Sequence, residues 1–309
     1  MRFTIRIAAT AFAAVLVTAC STGASPSPVP SETAAPSAIA ETTPAPTADA
    51  CARDNLTLVS AGKLTIGTDN PAYPPYFDPD PADPSWELGN PTNGKGFESA
   101  VAYAVAQQLG FTKDEVAWVA VKFDNAYAPG PKTFDFDINQ VSYKPERAQT
   151  ADLSDGYYFL NQSLVAVGGT PIAAAKTVAD LASYQFGAQA GTTSYDTIVN
   201  VIKPTKEPRV YDSNDAAIEA LKNKQIDGLV VDLPTAFFVT AVQVDNGVIV
   251  GQFPPTGGEQ EYFSLVLTKD SPLTACVNKA IGTLKTDGTL EQITQEWLAD
   301  KANAPVLQP

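Results

Sequence analysis

The stretch "FDFDINQVSYKPERA" (134–148) opens like a β-strand, with Phe134, Phe136, Ile138 and Val141 as its apolar frame. A strand buried on both faces of a sheet should be a nearly continuous apolar run. This one turns polar toward its C-terminal end, at Asn139, Gln140 and Ser142, and Arg147 follows. Asp69 closes "KLTIGTD" (63–69) and Asp232 closes "GLVVD" (228–232) in the same way. In parallel α/β sheets ligands bind beyond the carboxyl ends of the strands. Three polar strand ends therefore point to a polar small-molecule cleft. Any one of these residues could equally cap a following helix, and Asp135 reads as structural.

Other chemistries are excluded by residue type. The 309-residue chain has no histidine, which removes the commonest general base, the commonest zinc ligand and the Ser-His-Asp triad. Its three cysteines form no CxxC pair, so no metal is expected, and no cofactor. A net charge of −14 with no basic patch argues against nucleic acid as a partner.

Strands alternate with helices through the body, which predicts an α/β fold with mainly parallel sheets. "KLTIGTD" leads through a Pro-, Asp- and aromatic-rich loop into "GFESAVAYAVAQQLG", whose Phe97, Val101, Val105 and Leu109 form a stripe at i+4. Strands are expected at 116–123, 163–169, 186–191, 228–232 and 262–268. Helices are expected to start at Thr192 and at Asp212 or Ser213, and two more to span 272–285 and 289–299.

The N-terminus has a different character. Arg2 and Arg6 precede a short apolar run, "IAATAFAAVLVTA", which ends at Cys20. Small residues before that cysteine resemble a lipobox, so residues 1–19 read as a lipoprotein signal peptide and Cys20 as the lipidated residue. Residues 20–50, rich in Ser, Thr, Ala and Pro, have nothing to bury and read as a disordered tether.

Six blocks, in order, resemble bacterial ABC-importer polar amino-acid-binding proteins (family 3 solute-binding proteins). They are "GKLTIGTDNPAYPPYF", "GKGFESAVAYAVAQQLG", "NQVSYKPERAQTADLSDGYY", "GAQAGTTSYDTI", "IDGLVVDLPTA" and "LKTDGTLEQITQEWL". The resemblance implies a two-lobed, periplasmic-binding-protein-like fold of type II. Residues 51–161 and 259–309 would form lobe 1 and residues 162–258 lobe 2. Two crossover strands, near 158–165 and 255–262, would act as the hinge.

The resemblance also assigns roles. Arg147 matches the arginine that grips a ligand α-carboxylate, a task for which a planar donor fork is suited. Thr192 and Thr193 stand at a helix start that also favours a carboxylate, and Ser142 adds a contact. Asp232 matches the acceptor of the α-ammonium. Tyr73 or Tyr76 matches an aromatic lying against the ligand, and Asp69 a contact to the ligand side chain. Gln140 suggests a polar side-chain pocket. Asp137, Asn139 and Gln140 depart from the small, apolar residues usual in the family, and "GFE" stands where "GFD" is usual. On this topology Cys51 and Cys276 fall in one lobe of an exported protein, and a disulfide between them is expected.

The implied function is a monomeric, lipid-anchored receptor on the outer face of the cell membrane. It would hand a polar amino acid to an ABC permease, without being an enzyme. Two alternatives are a cyclohexadienyl-dehydratase-like enzyme on the same fold, with Glu98, Asp137 or Asp232 as acid or base, and a ligand-sensing domain acting through a partner.

Overall fold

The structure, a computed structural model, describes residues 49–255, 260–298 and 304–309. Residues 1–48, on which the expected signal peptide, the lipidated Cys20 and most of the expected tether fall, lie outside them. Lobe 1 begins with β1 (Leu64–Thr68), α1 (Phe97–Gln108), β2 (Val116–Ala120), a short α2 (Phe123–Tyr127), β3 (Phe136–Asp137) and β4 (Ala151–Leu153). The chain crosses at β5 (Tyr158–Leu160) into lobe 2, which starts with β6 (Gln162–Val167) and β7 (Phe186–Gln189). Next come α3 (Thr193–Thr197), prolonged by a π-helical turn to Ile202, β8 (Arg209–Tyr211) and α4 (Asn214–Lys222). β9 (Gly228–Asp232), α5 (Leu233–Phe238) and β10 (Gly247–Gln252) complete the lobe. The return runs through β11 (Glu261–Phe263), β12 (Val266–Thr268), α6 (Thr274–Thr286) and α7 (Thr289–Leu298).

Each lobe holds one five-stranded sheet, in the order β2-β1-β3-β12-β4 and β10-β6-β9-β7-β8. Four strands in each sheet point one way, while β12 in lobe 1 and β6 in lobe 2 run against them. The crossovers β5 and β11 pair antiparallel, with Phe159 opposite Tyr262, and make a separate two-stranded hinge.

Packing follows the sequence pattern. Leu64 and Ile66 of β1 are fully buried, and α1 lays Val101, Ala102, Val105 and Ala106 into the same core as Val277, Ile281, Leu290 and Leu298 of the last two helices. Burying side chains of this size stabilises by about 1.5–3 kcal/mol each. In lobe 2 the apolar strands β6, β7 and β9 are covered on one face by α4 and α5. Ser213 caps α4 by accepting from the Ala216 N–H at 3.2 Å. Cys51 and Cys276 are bridged, with their Cα atoms 5.3 Å apart, which ties the start of the body to α6 within lobe 1.

Three expectations need correction. The strand expected over 134–141 keeps only Phe136 and Asp137, because Gln140 takes a left-handed φ of 49° that no ladder accommodates. The strand expected over 262–268 is two strands, since the Ser264 N–H pairs with the Val141 carbonyl and the Leu265 N–H with the Ser154 hydroxyl as the chain steps from hinge to lobe 1. Residues 304–309, expected with lobe 1, lie on lobe 2. The Gln252 N–H donates to the Pro305 carbonyl at 2.7 Å, and the Leu307 N–H donates to the Gln252 carbonyl at 2.9 Å. Leu307 is buried in the lobe 2 core, in room left by Gly251, where a Cβ would fall 2.8 Å from the Leu307 side chain.

Candidate ligand-binding cleft

β1, β3 and β9 end at the gap between the lobes, as the polar strand ends predicted. There lies a cavity of about 40 Å³. Lobe 1 lines it with Asp69, Tyr73, Phe123, Asn139, Gln140, Ser142 and Arg147. Lobe 2 contributes Gln189, Thr192, Thr193, Ser194, Asn214, Val231 and Asp232. Several bonds hold the lobes together around it. Lys144 pairs with Asp196 at 2.5 Å. The Arg147 guanidinium donates to the Gly191 carbonyl at 2.9 Å. The Tyr76 hydroxyl meets that of Thr235 at 3.1 Å.

Arg147 is buried and held from several sides. A second bond goes to the Ser142 carbonyl at 2.6 Å. The Tyr127 and Phe123 rings flank the guanidinium, with centroids 4.5 and 5.3 Å away. Burial lowers its proton affinity, but it stays a cation, with more N–H groups than those two carbonyls use. It is the only cation among the described residues lining the cavity.

Asp232 stands before α5 but makes no side-chain cap to it. Its carboxylate accepts from the Gln162 amide at 2.6 Å, and the half-buried residue lines the cavity. Burial, then the nearby Glu261 carboxylate, raises its pKa to about 8. Glu261, on the hinge strand β11, accepts from the Ser142 hydroxyl at 2.5 Å and from the same Gln162 amide nitrogen at 3.1 Å. Ser142 and Thr193 hydroxyls stand 3.5 Å apart across the cleft. Asp69 accepts from the Asn70 N–H at 2.8 Å, and burial raises its pKa.

Three residues of the expected set act otherwise than foreseen. Tyr76 does not line the cavity, because its ring is fully buried in the lobe 1 core and its hydroxyl is engaged by Thr235. Tyr73 is the tyrosine at the cavity. Thr192 lines the cavity, but its hydroxyl is taken up as a cap, donating to the Gln189 carbonyl and accepting from the Tyr195 N–H. Gln140 lines the cavity, but its side-chain amide is turned to Glu98.

Sequence reasoning missed Gln162, Glu261, Phe123, Gln189 and Asn214. Gln189 and Phe123 follow the same rule as the others, standing at or just beyond a strand's carboxyl end. Gln162 and Glu261 carry no such signal, because they meet only when the two crossovers pair. Asp137 is fully buried yet does not line the cavity, and neither carboxylate oxygen has a hydrogen-bond partner.

Comparison with known proteins agrees with this architecture. Residues 64–300 match the family described as bacterial extracellular solute-binding proteins, family 3. The chain is 27% identical over 238 residues to the L-cystine-binding protein TcyJ of Escherichia coli, covering 76% of this chain and 82% of that protein. It is 28% identical over 207 residues to a probable histidine-binding protein of Campylobacter jejuni, covering 65% and 76%. Among solved structures, an ancestral arginine-binding protein bound to arginine superposes with a TM-score of 0.62 at 27% identity, over 76% of this chain and 98% of that one. With a matching profile across most of its length and two sheets meeting at a polar cleft, this chain belongs to the bacterial extracellular solute-binding proteins of family 3.

Proposed function

We propose that this protein captures a polar amino acid between its lobes and delivers it to an ABC permease, held at the outer face of the membrane by a lipid on Cys20. The carrying observation is a buried cation, Arg147, and a half-buried carboxylate, Asp232, lining one interlobe cavity. An amino acid has one group for each. Its carboxylate suits the guanidinium fork, and its ammonium supplies the positive charge that Asp232 lacks. Without such a charge a buried carboxylate neutralises itself by holding a proton.

Charge also selects the side chain. With both backbone groups matched, Asp69 remains as a carboxylate on the cavity wall, with no second cation among the described lining residues. A cationic or strongly donating side chain, in contact with Asp69 and the Tyr73 and Phe123 rings, satisfies it. Names among the relatives, histidine-binding and arginine-binding, are consistent with that preference. The cavity holds about three waters, so a large side chain requires a wider cleft than this one.

No catalytic role is assigned. Of the three acids open to a dehydratase, Glu98 and Asp137 stand outside the cavity lining.

A thermal-shift screen of the twenty amino acids with ornithine, citrulline and cystine tests the reading, since a ligand that binds only the folded state must stabilise it. A rise confined to cationic or polar amino acids supports it, and no response to any of them sinks it. Replacing Cys20 with serine should release the protein from membranes or block its maturation. Retention of that variant in the membrane would rule out the anchor.

A further inference from the structure

Glu98 sits in the first turn of α1, fully buried, and does not line the cavity. Its carboxylate accepts three hydrogen bonds. The Gln140 backbone N–H donates at 2.7 Å, and the Gln140 side-chain amide and the Tyr157 hydroxyl donate as well. Position 98 also suits an anion, because it lies at the positive end of a helix of 12 residues.

Those bonds reach the cleft in two directions. Gln140 has a left-handed φ of 49°, a conformation that a residue with a Cβ keeps only when its surroundings impose it. Both bonds from Gln140 end on Glu98, which anchors that residue directly, while the Ser264 N–H holds the neighbouring Val141 carbonyl. Asn139 precedes this turn and Ser142 follows it, and both line the cavity. The Ser142 carbonyl in turn accepts from Arg147. On its other side Glu98 holds Tyr157, the residue before β5, whose N–H donates to the Phe263 carbonyl of β11 at 2.9 Å. One carboxylate thus connects the ligand-facing turn to both strands of the hinge.

We propose that Glu98 is a positioning residue of the cleft, which locks the Asn139–Ser142 turn in its left-handed form and couples that turn to the hinge. The inference rests on the amino-acid reading above. Burial raises the Glu98 pKa to about 7, partly offset by the three donors. The charged or titratable groups around it are Tyr157, Tyr76, Asp137 and Asp232. None is a cation, so the three hydrogen bonds and the N-terminal end of α1 are what hold the ionised form.

The test compares Glu98→Leu, Glu98→Gln and the double variant Glu98→Leu with Gln140→Gly, each titrated with L-arginine, L-histidine and L-cystine by calorimetry alongside melting temperatures. Glu98→Leu should bind at least tenfold more weakly than wild type and dissociate faster, and should also melt at a lower temperature, since three buried donors lose their acceptor. Glu98→Gln should lose less, because an amide of the same shape still accepts from the Gln140 N–H. Glycine at 140 adopts the left-handed turn unaided, so the double variant should recover most of the lost affinity. A general packing role would give the same fall in melting temperature but no recovery of affinity when glycine is placed at 140. Wild-type affinity in Glu98→Leu, or no rescue by glycine, overturns the inference. Should Glu98→Leu fail to fold, wild-type affinity and dissociation rate in Glu98→Gln overturn it. A wild-type protein that binds none of the three probes, nor any other amino acid, overturns the amino-acid reading itself, a separate and visible failure.

Discussion

At the scale of single residues the cleft is a problem of unmatched buried charge. Removing Arg147 or Asp232 leaves a desolvated group of the ligand unpaired, which costs about 2–5 kcal/mol when such a partner is truncated. Arg147→Ala and Asp232→Ala should therefore each weaken binding by on the order of 30-fold to several thousand-fold in calorimetry. Arg147→Lys should also weaken it, because an ammonium reproduces neither the fork nor the flat contact with Tyr127 and Phe123. Proton linkage gives a further expectation for the ligand-free closed protein. Glu98 and Asp232 have pKa values raised to about 7 and about 8, from ordinary values of 4.5 and 3.8. The folded state therefore holds more protons than the unfolded chain, and this contribution to stability is present at low pH and lost as pH rises through 7 and 8. Melting temperature should fall from pH 5 to pH 9, and less steeply in Asp232→Asn. A slope unchanged by that substitution would remove Asp232 as its source.

At the scale of elements, the joints between strand and helix decide where side chains point. Gly191 joins β7 to α3 at a left-handed φ of 71°, and a Cβ there would fall 2.9 Å from the Tyr127 hydroxyl of the opposite lobe. Gly191→Ala combines backbone strain of roughly 1–2 kcal/mol with pressure on the shut cleft. Because Arg147 also donates to the Gly191 carbonyl, the variant should bind more weakly than wild type by calorimetry, chiefly through faster dissociation. The last residues form another joint. Leu307→Ala would empty a filled site in the lobe 2 core and should cost about 2–5 kcal/mol in urea unfolding. A cost near zero would mean that the tail does not hold that core together.

At the scale of the whole molecule, connections run both within and between lobes. The Cys51–Cys276 bridge joins two points of lobe 1 that lie 225 positions apart, closing a loop that includes lobe 2, and leaves the hinge strands unconstrained. Chain-entropy reasoning gives about 4–5 kcal/mol for so long a loop, with strain reducing the realised value. The protein should therefore melt at lower temperature in reductant while still binding its ligand, and mass spectrometry after alkylation should find neither Cys51 nor Cys276 alkylated in oxidised material. Lobe closure needs this separation, because a bridge across the hinge would hold one state. The tail differs, since α7 ends in the lobe 1 core and Leu307 in that of lobe 2.

The order of elements, the α1 stripe and the polar ends of β1 and β9 were legible in the sequence, because apolar periodicity and strand-end polarity are local properties of the chain. Asp69, Asn139, Ser142 and Asp232 could be picked out for that reason, and they do line one cavity. The pairing of Cys51 with Cys276 followed from the family resemblance together with the cysteine count. What the tertiary structure decided is where long-range neighbours compete for one group. Gln140 looked like a ligand contact until Glu98, 42 positions away, was seen to take its amide. Tyr73 and Tyr76 are equivalent in sequence, and only packing buries one and leaves the other at the cleft. Gln162 and Glu261 lie 99 positions apart and meet because the two crossovers pair side by side. No local pattern encodes such meetings, since they depend on how the chain returns through the hinge.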